Sequence, residues 1–272
     1  MQIKRFNVID RVFHLFLMFA FSTMSATGFG RLFINTDFGK SLCGMLGGYD
    51  VCGSIHRWVG ILMVVGFALH ILYAVTRMPW GNLKEGLLGP DSLVPNLTDL
   101  RHVGQQILWG FGKGPRPELE KWTYWEKFDY WAVFWGLPLL AVTGFMMMYP
   151  LETCRVVPGW CLNLASLLHK AEAILAVSFI FVVHFFVQHL RPGAFPLNES
   201  IFSGTVPRER AMEEKPAWVT RLRDQTCDEQ RSADPPGLLF RTAYFLLGYS
   251  VMAFCLYMLV NGILYGGRVS LH

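Results

Sequence analysis

The chain has 272 residues, of which 53% are hydrophobic and 16% charged, and its formal net charge is +4. That is too apolar for an ordinary soluble domain, and five runs without Asp, Glu, Lys or Arg have the roughly 20-residue length that a bilayer requires. The slight basic excess follows loop topology, which gives no ground for a nucleic-acid partner.

The first run, Val12–Gly30, follows the lead-in "KRFNVIDR". Asp10 in that lead-in, and no A-x-A pattern after "SATGFG", make it a retained helix rather than a secretory signal. The second, Trp58–Thr76, lies within "SIHRWVGILMVVGFALHILYAVTR". A Gly/Pro-rich, aromatic loop over 77–129 contains "LWGFGKGPRP" and "KWTYWEKFDYW" and reads as a segment on the membrane surface. The third run is Tyr130–Tyr149 and the fourth Ala173–Leu190. A polar strap over 191–237 leads to the fifth, Thr242–Tyr265. Most of the 24 basic residues fall in 1–11, 77–129 and 191–241. The positive-inside rule then sets the N-terminus inside and the C-terminus outside. Cys43 and Cys52 fall in the first outer loop and Cys154 and Cys161 in the second, where an oxidising compartment permits disulfides. Sequence leaves their pairing open. Cys227 is inside, Cys255 lies in the last span, and no C-x-x-C-H for covalent haem attachment occurs.

The two halves repeat weakly. Asp10, "ATGFG", "IHRWVGIL" and "FALH" in the first half correspond to Asp129, "VTGFM", "LHKAEAIL" and "FVVH" in the second. Helices two and four therefore run in the same direction. Six of the eight histidines lie in or beside spans: His14, His56, His70, His169, His184 and His189. Ionisable groups there are costly and usually functional. At 100° per residue, His56 and His70 end about 40° apart and His169 and His184 about 60° apart, so each pair shares a face, roughly 21–23 Å apart along its helix. Basic neighbours put His56 level with His169, and His70 level with His184. Facing imidazoles can hold an axially ligated haem iron, and two levels make a transmembrane electron path. Zinc would need three or four ligands at one point. Gly60, Gly66, Ala68, Ala171, Ala173 and Ala176 leave room for a macrocycle. A haem-free proton-coupled transporter using the histidines as a relay, and a structural anchor whose haems only stabilise assembly, are the competing readings.

Over about residues 1–225 the chain resembles the di-haem cytochrome b subunits that anchor respiratory formate dehydrogenases and nickel–iron hydrogenases. The likeness rests on "NVIDRVFH", the Thr-Gly near the end of helix one, "IHRWVGI", "LLHKAEAI…VVHFF" and "ESIFSGTVPRERAMEEKPAWVTRL". "TYWEKFDYWAVFWG" and "HFFVQHLRPGAFP" are similar to the branch found beside periplasmic multihaem c-type cytochromes. The resemblance implies an all-α, polytopic transmembrane helical bundle. Its four-helix di-haem core covers 1–190 (spans about 12–30, 58–76, 130–149 and 173–190). An inner-surface segment, 191–237, and a fifth helix with the outer C-terminus, 238–272, follow. It implies two haem b groups, quinone or quinol as substrate, and a bacterial inner-membrane location. Contacts would be with lipid and with an outer-side redox subunit, a multihaem c-type cytochrome or iron–sulfur protein. It carries His56 and His169 to the outer haem, and His184 and His14 to the inner one. Matching depth favours His70 as the partner of His184, so His14 and His70 both stand. A third haem using His14 and His189 is the minority arrangement, and His189 otherwise reads as an interfacial residue near a propionate or quinone. Arg57, Arg11 and Arg191 are candidate propionate partners. Where the family uses Asn and Gln for quinone, this chain has Thr123 and Glu126, with Lys127 alongside.

Overall fold

The computed structural model describes residues 1–225 and 232–268; Cys227 and Arg231 lie outside them. Strand β1 (Gln2–Lys4) precedes α1 (Val8–Leu32), α2 (Asp37–Met45) and α3 (Tyr49–Arg77). Two short helices, α4 (Leu83–Leu88) and α5 (Leu97–Gly110), lead to α6 (Tyr124–Met148), α7 (Pro150–Val156) and α8 (Trp160–Ser178). Beyond α8 the same helix continues in π winding over Phe179–His184 and Phe186–Leu190. Then come α9 (Ser200–Ser203), β2 (Thr205–Pro207), α10 (Arg208–Glu214), α11 (Pro216–Gln225), β3 (Ser232–Ala233) and α12 (Leu238–Tyr265).

Among the described residues five helices are long and apolar enough to cross a membrane: α1, α3, α6, α8 through Leu190, and α12. The chain is an all-α polytopic membrane protein. Most helices outrun the uncharged stretches, because their polar ends are helical too. α1 starts where Asn7 and Asp10 cap one another: Asp10 N donates to Asn7 Oδ1 at 2.9 Å and Asn7 N to Asp10 Oδ2 at 3.2 Å. This reciprocal cap satisfies backbone N–H groups that the first turn leaves open, and it is what the motif "NVIDRVFH" encodes locally.

Two compact units form, and they cut across the segments expected from sequence. One comprises Met1–Arg11, Ile71–Phe134 and Asn198–Leu238; the other Val12–His70, Trp135–Leu197 and Leu239–His272. The first unit is held by a three-stranded antiparallel sheet of order β2-β1-β3, with Ile3 opposite Val206 and Ser232. Ile3, Val206, Ala211, Trp218, Val219 and Leu222 make its apolar core. Gly204 (φ +82) ends α9 in the left-handed region, and its carbonyl accepts from the backbone N–H of Arg5 and Phe6. A side chain there would be strained. Charge does the rest. Glu126 accepts from Arg5 at 2.6 Å and from Lys215 at 2.6 Å, and Lys127 pairs with Asp99 at 2.9 Å. The loop 77–129 and the strap after Asn198 are thus parts of one folded unit.

In the second unit α12 packs through Cys255 and Met258 against Ala26 and Phe29 of α1, Phe33 just after it, Phe38 and Leu42 of α2, and Val177 and Phe181 of the α8 helix. The fifth helix therefore braces α1 and α8 without joining the sequence repeat. On α3, Trp58, Leu62, Val65, Leu69 and Leu72 are exposed at alternating intervals of four and three, one apolar stripe suited to hydrocarbon.

Candidate functional site

Three helices of the second unit, α1, α3 and α8 with its π-wound continuation, supply the histidines of two pairs. His56 of α3 and His169 of α8 have ring centroids 6.3 Å apart, with planes at 67°. His14 of α1 and His184 of the π-wound segment are 6.5 Å apart, with planes at 28°. Two metal–imidazole bonds of about 2 Å, plus roughly 1.2 Å from each nitrogen to its ring centre, separate ring centres by about 6.4 Å across one iron. Both pairs have that spacing. Fifteen residues of one helix separate His169 from His184, on the order of 20 Å, so the pairs stand at two levels.

Hydrogen bonding fixes the chemistry of the first pair. Thr27 Oγ1 donates to the Thr23 carbonyl at 2.7 Å and lies 2.9 Å from His56 Nδ1. Thr143 Oγ1 donates to the Leu139 carbonyl at 2.7 Å and lies 3.0 Å from His169 Nδ1. A hydroxyl has one proton. With that proton committed to a carbonyl, each threonine accepts from Nδ1–H, and Nε2 keeps the lone pair a metal needs. The glycine after each threonine makes room for the ring. A Cβ on Gly28 would stand 3.4 Å from His56 Cε1, and one on Gly144 3.3 Å from His169 Cε1. The repeated Thr-Gly is thus a device for seating an imidazole in one tautomer. Nδ1 of His14 is buried and has no hydrogen-bond partner among the described residues, so the two levels differ in their support. The donor set fits two bis-imidazole haems. No cluster of three or more His, Cys, Asp or Glu suited to a metal ion exists among the described residues.

Residues 5–193 match the family described as prokaryotic cytochrome b561. The chain belongs to that family. It is therefore a prokaryotic membrane cytochrome of the b type, a haem b protein of electron transfer, and the haem-free transporter reading falls. No curated protein matches the chain significantly.

Elsewhere in this cytochrome b the structure redistributes the residues singled out from sequence. His70 lies against the Phe13 ring, centroids 5.0 Å apart, while it is His14 that comes to 6.5 Å of His184. The expected angular match between His70 and His184 assumed α-helical winding throughout. From Phe179 the helix is π-wound, and Arg191 N reaches back five residues to the Phe186 carbonyl at 2.9 Å. That winding changes the phase of His184 and brings the buried His189 ring to 6.2 Å of it. π-Helical turns are frequent at functional sites.

Gly60 and Gly66 do not face the imidazoles. A Cβ on Gly60 would meet Met24 Cε at 3.4 Å, and one on Gly66 would collide with the Phe16 ring. Both serve close packing of α1 on α3. Arg57 is exposed, its Nη2 donating to Ser54 Oγ at 3.2 Å. Arg11 packs on Gly204 with a buried Nε that has no partner among the described residues, and Arg191 Nε donates to the Val187 carbonyl at 2.7 Å.

Glu126 is fully engaged by Arg5, Lys215 and the Thr123 backbone N–H at 3.0 Å, and Thr123 Oγ1 accepts from Glu126 N at 3.4 Å. Lys215 also donates to the Lys121 carbonyl at 2.8 Å. Burial, then the neighbouring Arg5 charge, push Lys215 down to about 8 against the pull of Glu126. A cavity of about 250 Å³ lies between Asp99, His102, Glu120, Trp122 and Lys127 of the same unit.

Residues that sequence did not single out individually are Thr27, Gly28, Thr143, Gly144 and Glu172. Glu172, one turn after His169, is seated over Gly136, where a Cβ would stand 2.8 Å from Oε1. The recurring Thr-Gly was the available signal for the first four.

Proposed function

We propose that this cytochrome b binds two haems, one between His56 and His169 and one between His14 and His184, and carries electrons across the membrane between a redox protein and the quinone pool. The observation that carries the reading is the pair of facing imidazoles at two levels, each with the spacing of a single iron. When bound, haem iron supplies one-electron chemistry between ferric and ferrous states. The chain itself provides fixed imidazole tautomers at the first level, room for the rings at Gly28 and Gly144, and a non-polar shell of helices. Lys/Arg bias supports the N-terminus inside, which sets the His56–His169 haem on the outer side and the His14–His184 haem on the inner side.

Quinone chemistry belongs beside the inner pair. There His189 is buried next to His184, and the π-wound helix end departs from regular hydrogen bonding. Glu126, Thr123 and Lys127 serve a different purpose in this reading: they lock the N-terminal segment and strap together. The partner is a periplasmic multihaem c-type cytochrome or iron–sulfur subunit, as in the respiratory anchor branch that the sequence resembles. A short-chain quinol added anaerobically to the purified, oxidised protein tests the reading. Rapid growth of the reduced b-type band is expected in wild type, with strong slowing in His189→Leu. A protein reducible by dithionite but inert to quinols of every class would refute the quinone assignment.

A further inference from the structure

The His56–His169 level needs a cation for the carboxylates of a bound haem, and sequence nominated Arg57, the residue after His56. The structure assigns that task to another arginine. Arg57 is exposed on α3 beside the exposed Trp58, and its guanidinium is held on its own helix by Ser54.

Arg31 is placed differently. The last turns of α1 set Gly28 against the His56 ring, and Arg31 follows three residues later. Residues three apart share a helix face, so Arg31 emerges from the same α1–α3 seam, one turn beyond Gly28. The facing position on α3 is Gly53, buried and three residues before His56. A Cβ on Gly53 would collide with Arg31 Nη1. The guanidinium therefore lies across bare backbone, 4.5 Å over the Tyr49 ring. Its recorded contacts among the described residues include no hydrogen bond and no carboxylate. A half-buried guanidinium without an anion is costly. The second half of the repeat has no counterpart: the equivalent positions are Met147 and Ser166. At this position only the first half of the repeat carries an arginine.

We propose that Arg31 binds a propionate of the haem held between His56 and His169, with Gly53 as its seat and Tyr49 as the surface that orients it. This rests on the reading that those two histidines share one haem. The guanidinium fork suits a carboxylate bidentately, and the Tyr49 face holds its plane.

The test uses the full chain in detergent or nanodiscs, with haem per chain and a potentiometric titration as readouts. A cation beside a haem favours the reduced, less positive iron. Arg31→Gln is therefore expected to retain two haems while one titration wave moves to lower potential and the other stays. Arg31→Lys keeps the charge and loses the fork, so it gives a smaller shift of the same wave and a moved propionate bending mode in the resonance Raman spectrum. Gly53→Ala displaces the guanidinium without removing it and shifts the same wave. Arg57→Gln leaves both waves at wild-type potential. A shift in Arg57→Gln with none in Arg31→Gln overturns the proposal, as do unchanged Raman modes in Arg31→Lys. Failure of the underlying haem assignment looks different: His56→Ala would retain two haems, or wild type would hold fewer than two.

Discussion

Thr27→Val removes one hydroxyl from the support of His56 and leaves nearly the same shape. In the native protein Nδ1–H of His56 donates to Thr27 Oγ1 at 2.9 Å, and that hydroxyl donates onward to the Thr23 carbonyl at 2.7 Å. The variant loses a hydrogen bond with a net value of about 1 kcal/mol and leaves a half-buried N–H without its acceptor, a cost of about 1–3 kcal/mol. Partners of metal-bound histidines typically contribute 10–100-fold in affinity, or about 1.4–2.7 kcal/mol, so the two estimates agree. Losing the acceptor also makes the imidazole a weaker electron donor, which favours ferrous over ferric iron. The expected phenotype is a rise in midpoint potential of one haem and easier loss of that haem in a detergent titration. Thr27→Ser, which keeps the hydroxyl, should restore both. Thr143→Val should do the same through His169. If Thr27→Val leaves both potentials and haem retention unchanged, the tautomer argument is wrong.

Further outcomes follow from the same geometry. The ring planes cross at 67° in one pair and at 28° in the other. Crossed axial imidazoles leave two iron d orbitals nearly degenerate, so the ferric protein should show two low-spin resonances, the more anisotropic one vanishing in His56→Ala. Lys215 sits at about 8 in the fold, below the ordinary lysine value of about 10.4, so the unfolded chain binds that proton more tightly. Stability of the unit holding the strap should therefore rise as pH increases from about 8 towards 10, a slope absent from melts of Lys215→Met. Glu126→Gln leaves Arg5 and Lys215 buried without their counter-charge, a loss of about 3–5 kcal/mol, visible as proteolysis within 198–225 without loss of haem. Cys43 and Cys52 are buried and in contact with each other, whereas Cys154 is exposed. Differential alkylation should label Cys154 readily and leave Cys43 and Cys52 unlabelled until the protein unfolds.

The membrane class and the two histidine levels were legible because they rest on run length and helical period, which need no partner. The anchoring of the His56–His169 pair was half legible. Thr-Gly recurs in both halves, but its purpose depends on contacts across 29 and 26 residues that no local pattern reveals. That His14 rather than His70 lies beside His184 follows from winding. Spacing on an ideal helix pointed to His70, and the π turns after Phe179 moved His184 out of that phase. Glu126 read as a quinone-site candidate because its cations, Arg5 and Lys215, lie 121 and 89 residues away. Arg31 was passed over because adjacency to His56 favoured Arg57, while the seat at Gly53 is a tertiary feature.

Haem quantitation with reduced-minus-oxidised spectra on wild type, His14→Ala and His70→Ala tests the central claim most directly. Two haem b per chain in wild type, one in His14→Ala and two in His70→Ala is the expected result. One haem or none in wild type, or loss of a haem in His70→Ala with two retained in His14→Ala, would contradict it.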